Sequence, residues 1–421
     1  MTDPLSAVPR ERFSSHYGLV TEQDTRRSSP ALWAARAAVA ERAVYARHLR
    51  RLWALPGTML GVVGWPATAE QRCFGHWDYW WQAHLLECLI DAAQREPKAS
   101  RVASVQRMIS GIHRRNLGSW LNSFYDDVAW LGIALARAHR AGLVLNGPAL
   151  AEIAARLRSG WTDHSGGGIW WRVGVDFKNV PANGPAAILF ARLSDLDITG
   201  AGDRVDRQRA RSTVDWIEEN LLDRETGLVW DGLHANPDGT VRDVDKAIYS
   251  YCQGVFLGAC VELAERDGPA SGWAARAVRT IDAVTQRVTV PDGPGGGLVI
   301  RGQGGGDGGL FGGILARYLA LAANVLPGLD ANLTEPARLA AEVVFTSAEA
   351  AWRNRTIAPG GPLFGPDWTK PAVLPRQRTK AEGHLPERDL SVQVGAWMLL
   401  EAAATLERNR APGPVRPGTD G

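Results

Sequence analysis

Apolar residues recur along most of the chain at the three- and four-residue steps of an amphipathic helix, and strand-like alternation is scarce. Such stretches begin near Ser29, Asp78, Ala99, Asp126, Gly147, Pro181, Asp203, Lys246, Ser271, Leu310, Glu335 and Leu390, which predicts twelve helices. Glycine and proline punctuate them, as at Pro56-Gly57, Gly166–Gly168, Pro291–Gly297 and Gly304–Gly309. The segments that lead into the helices alternate in character. Aromatic and polar residues crowd the start of every even-numbered one: FGHWDYWWQ, WLNSFYDD, GGGIWWR with KNVPANGP, KAIYSYCQG, GGGDGGLFGG and LSVQ. Odd-numbered helices, such as DRVDRQRARSTVDWIEENL, carry one charged face and no such lead-in.

Six helical hairpins of this kind close into a double ring, with even helices inside, odd helices outside and the inner N-termini converging on one face. The expected fold is therefore all-α, an (α/α)6 barrel. An open solenoid of helix pairs is the competing architecture, but no fixed repeat period supports it. One catalytic domain is expected over 29–408. Residues 1–28 form a weakly patterned N-terminal arm, and the Pro/Gly-rich 409–421 a disordered tail.

Composition narrows the function more than the fold. With 47 basic and 45 acidic residues, the net charge of +2 gives no field for nucleic acid or an anionic membrane. No apolar run is expected to approach the length of a membrane span and no export signal is seen at the N-terminus, so the expected location is cytoplasmic. Cys73, Cys88, Cys252 and Cys260 lack metal-ligand spacing and are expected to be reduced and buried. No metal or organic cofactor is expected, and nothing in the pattern sets an oligomeric state. The 17 tryptophans outnumber both Phe and Tyr, and clustered beside polar residues they suit a groove that stacks sugar faces.

The sharpest local signal is Asn122-Ser-Phe-Tyr-Asp126-Asp127-Val-Ala-Trp130. Asn122 or Ser123 as N-cap would place both aspartates in the first helical turn, where the dipole favours an anion. Two like charges so close titrate together, and the one held against Tyr125 and Trp130 can keep its proton near neutral pH. One ionised and one protonated carboxyl is what glycoside hydrolysis requires. An acidic first turn is also an ordinary helix start, so the pair alone does not decide the matter. Candidates for a sugar-binding groove are Trp81, Gln82, Asn122, Tyr125, Trp130, Trp170, Trp171, Asn183, Tyr251, Gln253, Asp307, Phe311 and Gln393, all near inner-helix starts. Core packing or capping is the plain alternative for each.

NSFYDDVAW resembles the catalytic motif of glycoside hydrolase family 76, the endo-α-1,6-mannanases. The likeness continues in order through WWQAHLLECLIDA, GGGIWW, KNVPANGPAA, YSYCQGVFLGA, FGGILARYLA, AWRNR, LFGPDW and LSVQVGAWMLL, over roughly residues 30 to 405. The resemblance implies an (α/α)6 barrel and a retaining reaction on an α-mannan or manno-oligosaccharide. It also implies Asp126 as nucleophile and Asp127 as general acid/base. Two positions depart from the family pattern: Cys252 stands where asparagine precedes the glutamine, and Phe311-Gly312-Gly313 replaces Phe-Lys-Gly. A catalytically silent glycan-binding barrel and another (α/α)6 sugar enzyme, such as an epimerase, stay open as alternatives. An epimerase of this shape needs paired histidine bases, and only His76 and His84 lie close together near these helix starts.

Overall fold

The computed structural model describes residues 31–196, 198, 203–375 and 384–410. The expected N-terminal arm and residues 411–421 of the expected tail lie outside the described residues.

Twelve long helices form where the periodicity places them: α1 Leu32–Arg47, α2 Tyr79–Arg95, α3 Ala99–Arg115, α4 Tyr125–Arg140, α5 Gly147–Ser159 and α6 Val180–Leu193, then α7 Asp203–Leu221, α8 Ser250–Asp267, α9 Trp273–Arg287, α10 Gly308–Leu329, α11 Thr334–Arg353 and α12 Leu390–Arg410. Among the described residues one further, four-residue α-helix, Ala69–Arg72, precedes α2. The even helices pack in the cyclic order α2, α4, α6, α8, α10, α12 and back to α2, and each odd helix lies on the outside of that ring. The fold is an all-α barrel of inner and outer rings.

Burial explains the two kinds of helix. From Tyr251 onward, α8 is buried at nearly every position through Ala264, because it has neighbours on both flanks and behind it. The outer α9 buries only one stripe, including Trp273, Ala277, Ile281 and Val284. A helix enclosed on all sides has no use for a polar face. That accounts for α10, which is long and apolar enough to cross a membrane by length and composition although it runs through the barrel core. The expectation that no segment reaches that length therefore needs correcting.

Short antiparallel pairings decorate the mouth where inner helices begin. They are β1 Leu49–Arg50 with β2 Leu60–Gly61, then β3 Phe177–Asn179, β4 Gly232–Ala235 and β5 Val241–Asp245 in one sheet. β6 Thr289–Pro291 pairs with β7 Leu298–Ile300, and β8 Thr356–Ala358 with β9 Gly361–Leu363. The opposite end is closed by ion pairs. Arg137, in the last turn of α4, bonds Glu87 and Asp91 at 2.7 and 2.6 Å, and Arg317, midway along α10, bonds Asp91 at 2.6 Å. Between these two guanidiniums, Asp91 is held down at about 2 despite its burial.

Four inner helices are tied to the mouth by one repeated device. The fourth residue of α2, α6, α8 and α12 is Gln82, Asn183, Gln253 and Gln393, each fully buried. Every one of these amides pairs with both backbone groups of a single residue in the preceding loop or strand. Gln253 Oε1 accepts from Val229 N–H at 2.8 Å while its Nε2 donates to Val229 C=O at 2.8 Å and to Tyr249 C=O at 3.1 Å. Gln82 does the same with Gly61 and Trp77, Asn183 with Ile169 and Asn179, and Gln393 with Phe364 and Glu387. Fully buried, with both amide hydrogens donated and the oxygen already accepting, none of the four is open to a sugar hydroxyl. Their expected role in substrate binding gives way to one in holding the mouth together.

Candidate active site

The inner N-termini converge on a cavity of about 550 Å³. Its lining includes seven of the expected residues: Asp126, Asp127, Trp130, Trp171, Tyr251, Asp307 and Phe311. Asp78, Trp80, Phe124, Asn179, Asp231 and Tyr249 also line it and were not singled out from sequence.

Asp126 and Asp127 occupy the first turn of α4. Neither Asn122 nor Ser123 caps that helix; the N-cap is Phe124 and no side chain accepts there. Asn122 instead folds back, its Oδ1 accepting from Phe124 N–H at 2.8 Å and its Nδ2 donating to Asp127 Oδ2 at 2.6 Å. It thus orients the second aspartate from outside the cavity lining. Asp126 Oδ2 accepts from the Trp171 indole at 3.0 Å, and its Oδ1 from the Asp127 backbone N–H at 2.9 Å.

Burial outweighs the helix dipole for both carboxyls. Desolvation pushes Asp126 up to about 6, against the pull of the Asp127 backbone and the Trp171 indole. Asp127 is driven well above the usual carboxylate range, first by desolvation and then by the charge of Asp126. The two neighbours have been given different proton affinities, with Asp126 the first to ionise.

Across the cavity, at the start of α10, Asp307 Oδ1 accepts from two indoles, Trp81 at 2.8 Å and Trp80 at 3.1 Å. Trp81 is buried and takes no part in the lining, whereas Trp80 faces the cavity. The sugar-facing candidate on α2 is therefore Trp80 and not Trp81. Tyr251 and Phe311 stack at 4.1 Å and 20°, and Trp80 lies 6.3 and 6.4 Å from them, making an aromatic wall. Asp231, immediately before β4, is raised to about 7 by burial and by Asp245.

The remaining candidates turn away. Trp170 lies under the Lys178 ammonium at 4.5 Å, outside the cavity lining, while its neighbour Trp171 faces in. Tyr125 is buried, with the Arg156 guanidinium 5.1 Å from its ring centroid. His84 is enclosed between Trp80 and Trp130, with burial holding it well below its usual range, and His76 pairs with Asp78 at 3.0 Å. Neither histidine lines the cavity, so no paired-base arrangement forms. Cys88, Cys252 and Cys260 are buried free thiols, but Cys73 is exposed, contrary to expectation.

The family model for glycosyl hydrolase family 76 matches residues 37–383. The chain belongs to that family. It is a glycoside hydrolase, and solved structures of similar proteins share its barrel. The GH76A α-1,6-mannanase from Salegentibacter sp. HEL1_6 is 29% identical, with a TM-score of 0.72, over 89% of this chain and 99% of that one. A variant of that enzyme, described as inactive and changed at two consecutive aspartates to asparagine, is in complex with α-1,6-mannotriose; it is 28% identical, with a TM-score of 0.72 over 89% of this chain and 99% of its own. The Lin0763 protein from Listeria innocua is 26% identical with the same TM-score of 0.72, over 89% of this chain and 97% of its own. No curated protein sequence matches the chain.

Both departures from the family 76 pattern have local structural partners. Cys252 Sγ lies 3.8 Å from Asp231 Oδ1 behind the cavity wall. At Gly312 a Cβ would stand 3.0 Å from the Trp368 ring, so a side chain there needs that indole to give by a few tenths of an ångström.

Proposed function

We propose that this family 76 hydrolase cleaves α-1,6-linked mannan or manno-oligosaccharides within the chain, with retention of anomeric configuration. One observation carries the reading. Two consecutive carboxyls stand in one cavity at the barrel mouth, one held by the Trp171 indole and the other by the Asn122 amide, with their proton affinities pushed apart. The substrate follows from the likeness to the Salegentibacter mannanase and its mannotriose complex.

In the first step an Asp126 carboxylate oxygen bonds to the anomeric carbon as the glycosidic C–O bond breaks, and the proton of Asp127 passes to the departing oxygen. In the second step Asp127, now a carboxylate, takes a proton from water. The water oxygen bonds to the anomeric carbon and releases Asp126. Each carboxyl ends as it began. Asn122 holds Asp127 at the leaving oxygen, and the Trp171 indole stabilises the Asp126 anion before and after attack. The Tyr251–Phe311 wall stacks sugar rings and Asp307 accepts from their hydroxyls.

Incubation with linear α-1,6-manno-oligosaccharides, reading product lengths and the first anomer released, tests this directly. Retention gives the α-anomer first, and endo action gives internal products of mixed length. A β-anomer first would overturn the double displacement, and mannose alone would overturn endo action. Asp126→Asn and Asp127→Asn should each lose turnover while keeping the fold; full activity in either removes it from the mechanism.

A further inference from the structure

A cavity of about 550 Å³ suits a short oligosaccharide, so the rest of a polymer must lie on surface outside it. One side of the mouth is built for that. Tyr79, in the cavity wall, donates its hydroxyl to Trp120 C=O at 2.7 Å and meets Trp77 edge-on at 5.5 Å. Trp77 leads outward to Arg115, whose guanidinium lies 5.0 Å from the Trp77 ring centroid and 5.9 Å from that of Trp53. Arg115 is anchored in turn by donating its Nε to Phe74 C=O at 2.8 Å. Trp53 ends the series, 51% exposed, its indole fixed by a 2.8 Å bond to Cys73 C=O.

A second, independent observation falls on the same loops. Among the described residues six that are not glycine have left-handed φ, and five of them are here: Trp53 at 45°, Ala54 at 59°, Phe74 at 56°, Asp78 at 42° and Leu117 at 56°. Such conformations are strained and persist where the surroundings enforce them, often at functional surfaces. The Trp53 ring is thus held half in solvent on a strained loop.

Resting on the reading given under Proposed function, we infer that Trp77, Arg115 and Trp53 form an outer ledge that receives further pyranose rings of the same glycan chain. Apolar sugar faces stack on the exposed Trp53 ring, and continuity with the Tyr79 wall makes the bound polysaccharide the occupant. Longer substrates are therefore held more tightly than those that only fill the cavity.

The test compares kcat/KM for long linear α-1,6-mannan with that for the shortest manno-oligosaccharide cleaved, in wild type, Trp53→Ala and Trp53→Phe. Loss of one ring-face contact should lower the long-to-short ratio about three- to tenfold in Trp53→Ala. Trp53→Phe, which keeps a ring but loses the bond to Cys73, should retain most of the ratio. An unchanged ratio in Trp53→Ala overturns the ledge. A fall as large in Trp53→Phe overturns stacking in favour of loop anchoring. Failure of the underlying reading looks different: wild type would then cleave no α-1,6-mannan of any length, and the proposed occupant would fall with it.

Discussion

Asp126→Asn should abolish turnover and yet strengthen the fold at neutral pH. In the unfolded chain the carboxyl ionises near its ordinary value of 3.8, whereas burial in the folded protein raises it to about 6. The folded state thus holds the proton that the unfolded state releases. Stability from this group is fully present below 3.8 and is lost as pH rises through about 6. A difference of about two pH units, at 1.36 kcal/mol per unit, leaves a penalty of about 3 kcal/mol at pH 7.5. Asparagine removes it, but with one acceptor it cannot serve both the Trp171 indole and the Asp127 N–H, a mismatch of about 1–2 kcal/mol. The net gain is about 1–2 kcal/mol. Removing the Asp126 charge also relieves Asp127, which acts in the same direction.

Urea unfolding of wild type and variant at pH 7.5 and at about pH 4.5 checks this, since the midpoints report the difference if the slopes agree. The gain should be present at the higher pH. It should shrink to about zero at the lower, where the folded wild type carries a neutral Asp126 and the amide mismatch offsets what penalty remains. A variant less stable than wild type at pH 7.5, or a difference equal at the two pH values, would refute the claim that the site is an uncompensated buried charge.

The same electrostatics predict an acid limb near pH 6 in kcat/KM, because Asp126 must be ionised to attack; Trp171→Phe deletes a donor that stabilises the anion, so the limb should move to higher pH, and a limb that stays put or moves down counts against the assignment. Gln253→Ala strands Val229 N–H, Val229 C=O and Tyr249 C=O in the core and should cost about 3–5 kcal/mol by denaturant titration. A loss under about 1 kcal/mol would show that the amide device is ornamental. Tyr251→Ala removes half of the stacked wall and should raise KM about three- to tenfold with a smaller change in kcat, read from steady-state kinetics on one oligosaccharide; an unaltered KM would take sugar stacking away from that wall.

The barrel was readable because its two rings obey different rules along the chain. Helix starts inferred near Ala99, Gly147, Asp203 and Leu390 are where helices begin, and the aromatic lead-ins mark the inner ring. The site was readable only where side-chain type and position agreed, as at Asp126, Asp127, Asp307 and Phe311. Trp80 and Trp81 could not be told apart, since an inner helix is buried on every side and its periodicity carries no phase. Asp231 was invisible for another reason: it precedes a strand in a three-stranded sheet whose partner β3 lies far back in the sequence. The four amides were misread because glutamine beside tyrosine at a mouth suggests sugar hydroxyls. The better signal was positional, an amide four residues into the helix in each case.

That positional pattern also says where the chemistry can sit. Of the six inner helices, α2, α6, α8 and α12 spend their fourth residue on the amide pairing, and only α4 and α10 do not. Their fourth residues are Val128 and Phe311. In the order of the ring, α4 and α10 stand three places apart in either direction, so they face one another across the cavity. One brings Asp126 and Asp127; the other brings Asp307 and Phe311. An amide bound to its loop by three buried hydrogen bonds holds the helix start rigid and is itself withdrawn from the cavity. The unlocked start of α4 carries Asp126 and Asp127, the two neighbouring carboxyls that burial pushes up. Rigidity from four helices of the ring and reactivity from an unclamped one are then complementary demands on one repeated position, which fits a candidate catalytic pair that lies on α4 and not on a clamped helix.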